Sequence, residues 1–262
     1  MAPASAAEVM VTGFPDAQSD IVTAAVLVIG DEILSGRTKD KNIGYIAEYL
    51  TTIGIDLREV RVVPDVEAEI VAAVNALRAR YTYVFTTGGI GPTHDDITAD
   101  SVAKALGVPI AEDPRAIALL LERIKPEDLN EARRRMARIP QGAELVQNPV
   151  SKAPGFWIEN VIVMAGIPAV MQAMLDDVAP KLVKGRRMLS ETVRSQAKEG
   201  DIAAPLREIA ERFPDVLIGS YPFSDETGFK TNLVLRARHA ARLAAATEAV
   251  KAMLDRLGIQ RI

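Results

Sequence analysis

Three times in the first 107 residues, a β-branched apolar run of strand length gives way to a segment with apolar residues at helical spacing. The run "IVTAAVLVIG", from Ile21, leads into "NIGYIAEYLTTIG", where Ile43, Ile46, Ala47, Leu50 and Ile53 share a face and Gly54 marks the stop. "IDLREVRVV" then precedes "VEAEIVAAVNALRAR", with Ile70, Val71, Val74 and Leu77 on one side. "YTYVFTT" precedes a helix through Val102 and Leu106 that Gly107 closes. Parallel strands need a crossover element between them, so this alternation predicts an α/β fold: a mostly parallel sheet with helices on both faces.

Residues 113–138 read as a charged helical excursion interrupted at Pro126, followed by strands at Ala143–Val146 and Phe156–Met164 and a helix over Ala169–Leu182. "KGRRMLS", near 184–190, breaks the pattern. Beyond it the spacing predicts a strand (188–194), a helix (202–213), two strands (216–220 and 230–237) and a helix (240–257) with Leu243, Val250, Leu254 and Leu257 inward. The expected organisation is a tail over 1–22, an α/β domain over 23–184 and a small α+β domain over 185–262.

Composition narrows the function classes. A net charge of -4 supplies no global basic field for nucleic acid or an anionic membrane. The chain has no cysteine, which removes disulfides, thiolate metal sites and cysteine nucleophiles together. The first twenty residues lack a basic stretch followed by an unbroken apolar one, which reads as a loose tail rather than a signal peptide. The longest apolar stretches, near 21–30 and 161–171, are about half a membrane span. The expectation is a cytoplasmic protein.

The chemistry gathers where strands end. "TTGGIGPTHDDIT" (86–98) follows the third strand, and ligands of open parallel sheets collect beyond the carboxyl ends of the strands. Its glycines let backbone amides approach an anion, and a helix start adds partial positive charge. It is neither a Walker A loop nor a dinucleotide fingerprint. The plain alternative is a tight turn whose Asp96 or Thr98 caps the helix. Adjacent Asp95 and Asp96 beside a phosphate repel it unless a divalent cation or a proton intervenes. The first strand ends in "GDEILSGRTKDKN", where Asp31, Glu32 and Ser35 can serve a ligand and Asn42 either caps the next helix or reaches the cleft. Asp65 ends the second strand, and either joins this rim or caps the following helix.

With "GDEILSG" before it and "NPVSKAPGFWIEN" and "MAGIPAVM" after it, this loop resembles the MoaB/Mog molybdopterin-binding family. Within that family the resemblance is nearest to the competence/damage-inducible protein A group and the molybdopterin-binding-like domain of FAD synthase. It runs from about Ala24 to Leu182 and continues through "IGSYPFSDETGFKTNLVLR". It implies catalytic roles for Asp65 and Asp96; the adjacent carboxylates add Asp95 to the catalytic candidates and make Asp95 and Asp96 the expected holders of a divalent cation such as Mg²⁺. It implies that Gly88, Gly89 and Gly91 hold a pterin phosphate or adenine nucleotide, and the candidate rim around them comprises Gly30, Glu32, Ser35, Asn42, Thr87, Pro92 and Thr98. Pro154 and Gly155 of the "APGF" turn, with Gly166 and Pro168, form the other wall.

The implied activity is metal-dependent cleavage of nucleotide pyrophosphates such as ADP-ribose or FAD; adenylyl transfer to molybdopterin and non-catalytic binding are the alternatives. A homo-oligomer, dimer or trimer, is implied by analogy. Val170 stands where that branch carries glutamate. The 185–262 module resembles a KH-like domain without a GxxG loop in a basic setting, which reads as a packing or dimerisation module. Of the other candidates, His94 touches phosphate or lies exposed in a turn, and Lys152 is a possible ligand contact. Arg133, Arg134, Arg135 and Arg138 clamp phosphates or form a solvated helix face, the second being the expectation.

Overall fold

β1 (Val22–Ile29) is buried on both faces, as the middle strand of a two-sided sheet must be. Ala25, Leu27 and Ile29 enter one apolar cluster and Val22, Ala24, Val26 and Val28 another, because successive side chains point to opposite faces. The structure, a computed structural model, describes residues 21–226 and 228–262. The chain divides into two units, the first running to Gly185 and the second spanning Arg186–Ile262.

In the first unit β1 is followed by α1 (Asp31–Leu34), α2 (Asn42–Thr52), β2 (Ile55–Val63), α3 (Glu67–Arg78), β3 (Tyr83–Thr87) and α4 (Thr98–Leu106). β4 (Ile110–Glu112), α5 (Pro114–Leu121), α6 (Glu131–Arg135) and β5 (Arg138–Pro140) form the excursion, with β4 and β5 paired as a separate ribbon. β6 (Glu144–Val146), β7 (Gly155–Ile158), β8 (Val161–Met164) and α7 (Pro168–Val178) complete the unit. The sheet order is β2-β1-β3-β8-β7-β6. β2, β1, β3 and β8 are mutually parallel, and β7 is antiparallel to both neighbours. Ile70, Val74, Leu77 and Val102 of α3 and α4 cover one face; Ile46, Leu50, Met171 and Met174 of α2 and α7 cover the other.

Four expectations need correction. The single strand over Phe156–Met164 is a hairpin: Glu159 takes a left-handed conformation at φ 50°, and Asn160 fixes the turn. Its Nδ2 donates to the carbonyls of Arg78 and Tyr81, each at 2.9 Å. Asn42 does not cap α2; Asp40 Oδ1 accepts the N–H groups of Asn42 at 3.0 Å and Ile43 at 2.8 Å. The tail expected over 1–22 lies outside the described residues except for its last two, and Val22 is already fully buried in β1. Leu257 follows the end of the last helix and is 47% exposed rather than inward.

The second unit places α8 (Glu199–Arg212) and α9 (Ala240–Arg256) against an antiparallel sheet of β9 (Leu189–Ser195), β10 (Leu217–Asp225) and β11 (Gly228–Ala237), in the order β10-β11-β9. Val193, Leu233 and Leu235 from the sheet meet Ile209, Leu243 and Val250 from the helices. Leu27, at the centre of the larger sheet, has no exposed surface. Leu27→Ala is expected to destabilise the first unit by about 2–5 kcal/mol in urea unfolding. Glu191→Ala, on an exposed stretch of β9, is expected to change stability by less than about 0.5 kcal/mol.

Candidate functional site

β1 and β3 run directly into Gly30 and Gly88, and Gly166 lies two residues beyond the end of β8. Gly88 has φ 103°, and a Cβ there would lie 2.1 Å from the Ile29 carbonyl oxygen. Gly89, at φ 65°, would place a Cβ 2.2 Å from Thr98 Oγ1. No side chain fits at either position, so the chain after β3 turns directly across the end of β1. Thr98 then fastens the turn, its Oγ1 donating to Gly88 O and its N–H to Gly89 O, both at 3.0 Å. Thr98 opens α4 as its first residue and closes the loop on itself rather than capping the helix.

Downstream the loop is tied by Asp96, whose Oδ2 accepts the Thr93 N–H at 2.8 Å and the Thr93 hydroxyl at 2.5 Å. That carboxylate sits against Gly91, where a Cβ would come within 2.6 Å of it. Among the described residues, no acceptor takes the N–H groups of Gly89, Ile90 and Gly91. A run of unpaired donors on a fixed loop favours an anion.

Asp65 is held at the start of α1. Asp65 Oδ2 accepts the N–H of Asp31 at 2.9 Å, which ties the end of β2 to the start of α1; α3 has no side-chain cap, so Asp65 is not its cap. Burial pushes the Asp65 carboxyl above its ordinary range; the Asp31 N–H partly opposes this, and the charges of Asp31, Glu32 and Asp95 add to the rise. Asp96 lines a narrow cleft with Gly89, Gly91, Arg135, Pro154 and Phe156, and Asp65 is not part of its lining. The structure therefore ties Asp65 to the start of α1 and sets Asp96 on the cleft.

The remaining candidates divide between rim and scaffold. Asn42 is buried beneath the rim, Nδ2 donating to Gly166 O at 2.8 Å while Oδ1 has no partner. Thr87 Oγ1 is likewise buried and unpartnered. Pro92 follows Gly91 in the loop, and Glu32 folds its carboxylate over Gly30. Ser35 Oγ donates only to Glu32 O, at 3.3 Å. Gly155 lies in β7 with the Val163 carbonyl against it, and Pro168 opens α7; both shape the scaffold. His94 is almost wholly exposed, and Lys152 pairs with Glu122 at 2.6 Å.

Residues 25–184 match the family described as "Probable molybdopterin binding domain". The chain belongs to this family. Residues 187–261 match "FAD synthase, middle domain". Protein TK1472 of Thermococcus kodakarensis is 38% identical over 218 residues, covering 76% of this chain and 85% of its own length. A "Probable FAD synthase" of Caenorhabditis briggsae is 31% identical over 258 residues, covering 88% of this chain and 49% of its own. The solved structure of CinA from Thermoplasma acidophilum, 34% identical, superimposes with a TM-score of 0.59 over 62% of this chain and 99% of that one. The molybdopterin-binding family, with CinA and FAD synthase among its relatives, thus agrees with the resemblance read from the sequence.

Within the molybdopterin-binding unit, Val170 is 6% exposed and packs into the apolar cluster around Met171 and Met174, so this position contributes no carboxylate to the rim. Among the described residues no three His, Asp or Glu groups converge to enclose a metal ion, and no helix is long and apolar enough to cross a membrane. Asp95 is exposed and Asp96 has one carboxylate oxygen in use. This donor set fits a cation that arrives with phosphate and water ligands of its own, as Mg²⁺ does where one or two carboxylates complete its shell.

Ionised Asp65 opposes folding, because its pKa in the fold lies above the ordinary 3.8. The penalty is absent below that value, grows as pH rises to the folded pKa, and persists above it. Asp65→Asn keeps an acceptor for the Asp31 N–H and removes the charge. It is expected to melt above the wild type at pH 7, with the gap closing towards pH 4; a gap that widens on acidification contradicts this account.

Proposed function

We propose that the glycine rim holds the phosphates of a nucleotide or pterin ligand, and that the protein hydrolyses the pyrophosphate bond of ADP-ribose- or FAD-like dinucleotides. The observation that carries this reading is the row of unpaired amides at Gly89, Ile90 and Gly91 on a loop fixed by Thr98 and Asp96. The amides hold and polarise phosphoryl oxygens, an arrangement that stabilises charge developing in the transition state. Asp65, poised nearer neutrality than an ordinary carboxylate, takes the proton of the attacking water. The water oxygen bonds to one phosphorus, the bridging P–O bond breaks, and AMP leaves with a second phosphate ester.

A divalent cation tethered by Asp95 and Asp96 would supply Lewis-acid polarisation of the phosphates. Asp96 also keeps the Thr93 turn closed, and so holds the loop amides in place. The similarity to "FAD synthase, middle domain" and to a probable FAD synthase supports a dinucleotide ligand. The family description supports a pterin phosphate as the alternative acceptor in place of water, which makes the reaction adenylyl transfer. Val170, turned into the core, favours a second reading in which the same rim binds without turnover.

Chromatography of the full chain incubated with ADP-ribose or FAD and Mg²⁺ decides between hydrolysis and binding. AMP release is expected, reduced roughly 10²-fold or more in Asp65→Asn and in Asp96→Asn. No AMP from a protein whose melting temperature these compounds raise contradicts hydrolysis and leaves the binding reading.

A further inference from the structure

The arginine run on and after α6 is not one solvated face. Arg133 Nη1 donates to the Asp128 carbonyl, Arg134 pairs with Glu112, and Arg138 pairs with Asp100. Arg135 turns the other way. Its Nη2 donates to the Asp96 carbonyl at 3.3 Å, its Nε is sealed from solvent with no acceptor, and among the described residues no carboxylate pairs with it. A buried donor on an ionised group is costly to leave unanswered, and the Asp96 carboxylate that shares the cleft is engaged by Thr93 rather than by Arg135.

The surroundings say what would answer it. Arg135 lines the same narrow cleft as Gly89 and Gly91, whose amides are unpaired, while Met136, Ile139 and Phe156 supply apolar walls that lower the local dielectric. Arg138, also in the cleft, is already neutralised by Asp100. A neutral hydroxyl or amide would satisfy the N–H groups but not the charge. A phosphoryl group satisfies both, because its oxygens match the planar guanidinium fork and accept from several donors at once.

We propose that Arg135 is a phosphate clamp: its guanidinium holds a non-bridging phosphoryl oxygen of the ligand at the cleft it shares with Gly89 and Gly91. The ligand is therefore a phosphate ester or diphosphate whose anionic end enters this cleft. The inference rests on the anion-binding part of the proposed function and not on hydrolysis.

Isothermal titration of the full chain with inorganic pyrophosphate, in EDTA at low ionic strength, tests it. Arg135→Gln is expected to bind roughly 10- to 100-fold more weakly than wild type, as loss of a charge-assisted hydrogen bond does. Arg135→Lys, which keeps the charge without the fork, is expected to fall between them, and Arg133→Gln to match wild type. If Arg135→Gln fails to fold, Arg135→Lys alone decides, by weakened binding at an unchanged melting temperature. Wild-type affinity in Arg135→Gln, equal loss in Arg133→Gln, or no binding by wild type overturns the clamp. A protein that binds pyrophosphate through Arg135 yet releases no AMP from ADP-ribose overturns hydrolysis and leaves the clamp standing.

Discussion

Gly88 lies so close to the end of β1 that a Cβ on it would stand 2.1 Å from the Ile29 carbonyl oxygen, with a backbone φ of 103° that L side chains rarely adopt. That approach lets the chain leaving β3 pass across β1 instead of running out into solvent. The 89–96 loop is thereby laid along the rim, with Thr98 bonded back to Gly88 and Gly89. A larger residue would push the loop outward and separate its amides from the strand ends that frame them. Gly166, just beyond β8, packs against Gly88 and closes the same corner. The parallel sheet supplies the platform, and this backbone contact turns the platform into a site.

Electrostatics then follow from what the loop separates. Asp65 is drawn towards Asp31 and Glu32 by the Asp31 N–H, and the crowding and burial raise its pKa. Asp96 is turned the other way, tied to Thr93 and facing the cleft that Arg135 enters. A loop with unpaired amides thus has a cleft of mixed charge, where Asp96 and Arg135 meet, and Asp65 held at the start of α1 outside that cleft. Such an arrangement orients a ligand that is anionic at one point and near a cation or a transferable proton at another, which pyrophosphate chemistry requires.

Much of this was legible in the residues. Alternating strand and helix periods gave the doubly covered sheet, because β1 feeds both cores through its two-residue alternation and α2, α3, α4 and α7 present apolar stripes. The glycines at 88, 89 and 91 pointed to a backbone that needs space, which the geometry bears out at Gly88 and Gly89. The turn at Glu159–Asn160 was hidden, since neither residue is a glycine or proline and apolar residues flank both sides. The partners of Asp65 and Asp96 were also out of reach, as both residues are plausible caps and only tertiary placement directs Asp65 to Asp31. Arg135 reads as one of four neighbouring cations; its distinction is that it folds back on Asp96, a contact 39 residues away in sequence.

The central claim is that the Gly89–Gly91 backbone holds an anion at the rim. It is tested most directly by ¹⁵N-resolved NMR of the full chain titrated with inorganic pyrophosphate. The account predicts that the amide signals of Gly89, Ile90 and Gly91 shift together and saturate at one affinity, while those of the 187–261 segment stay in place. Saturating shifts confined to other residues, with these three amides unmoved, would contradict it.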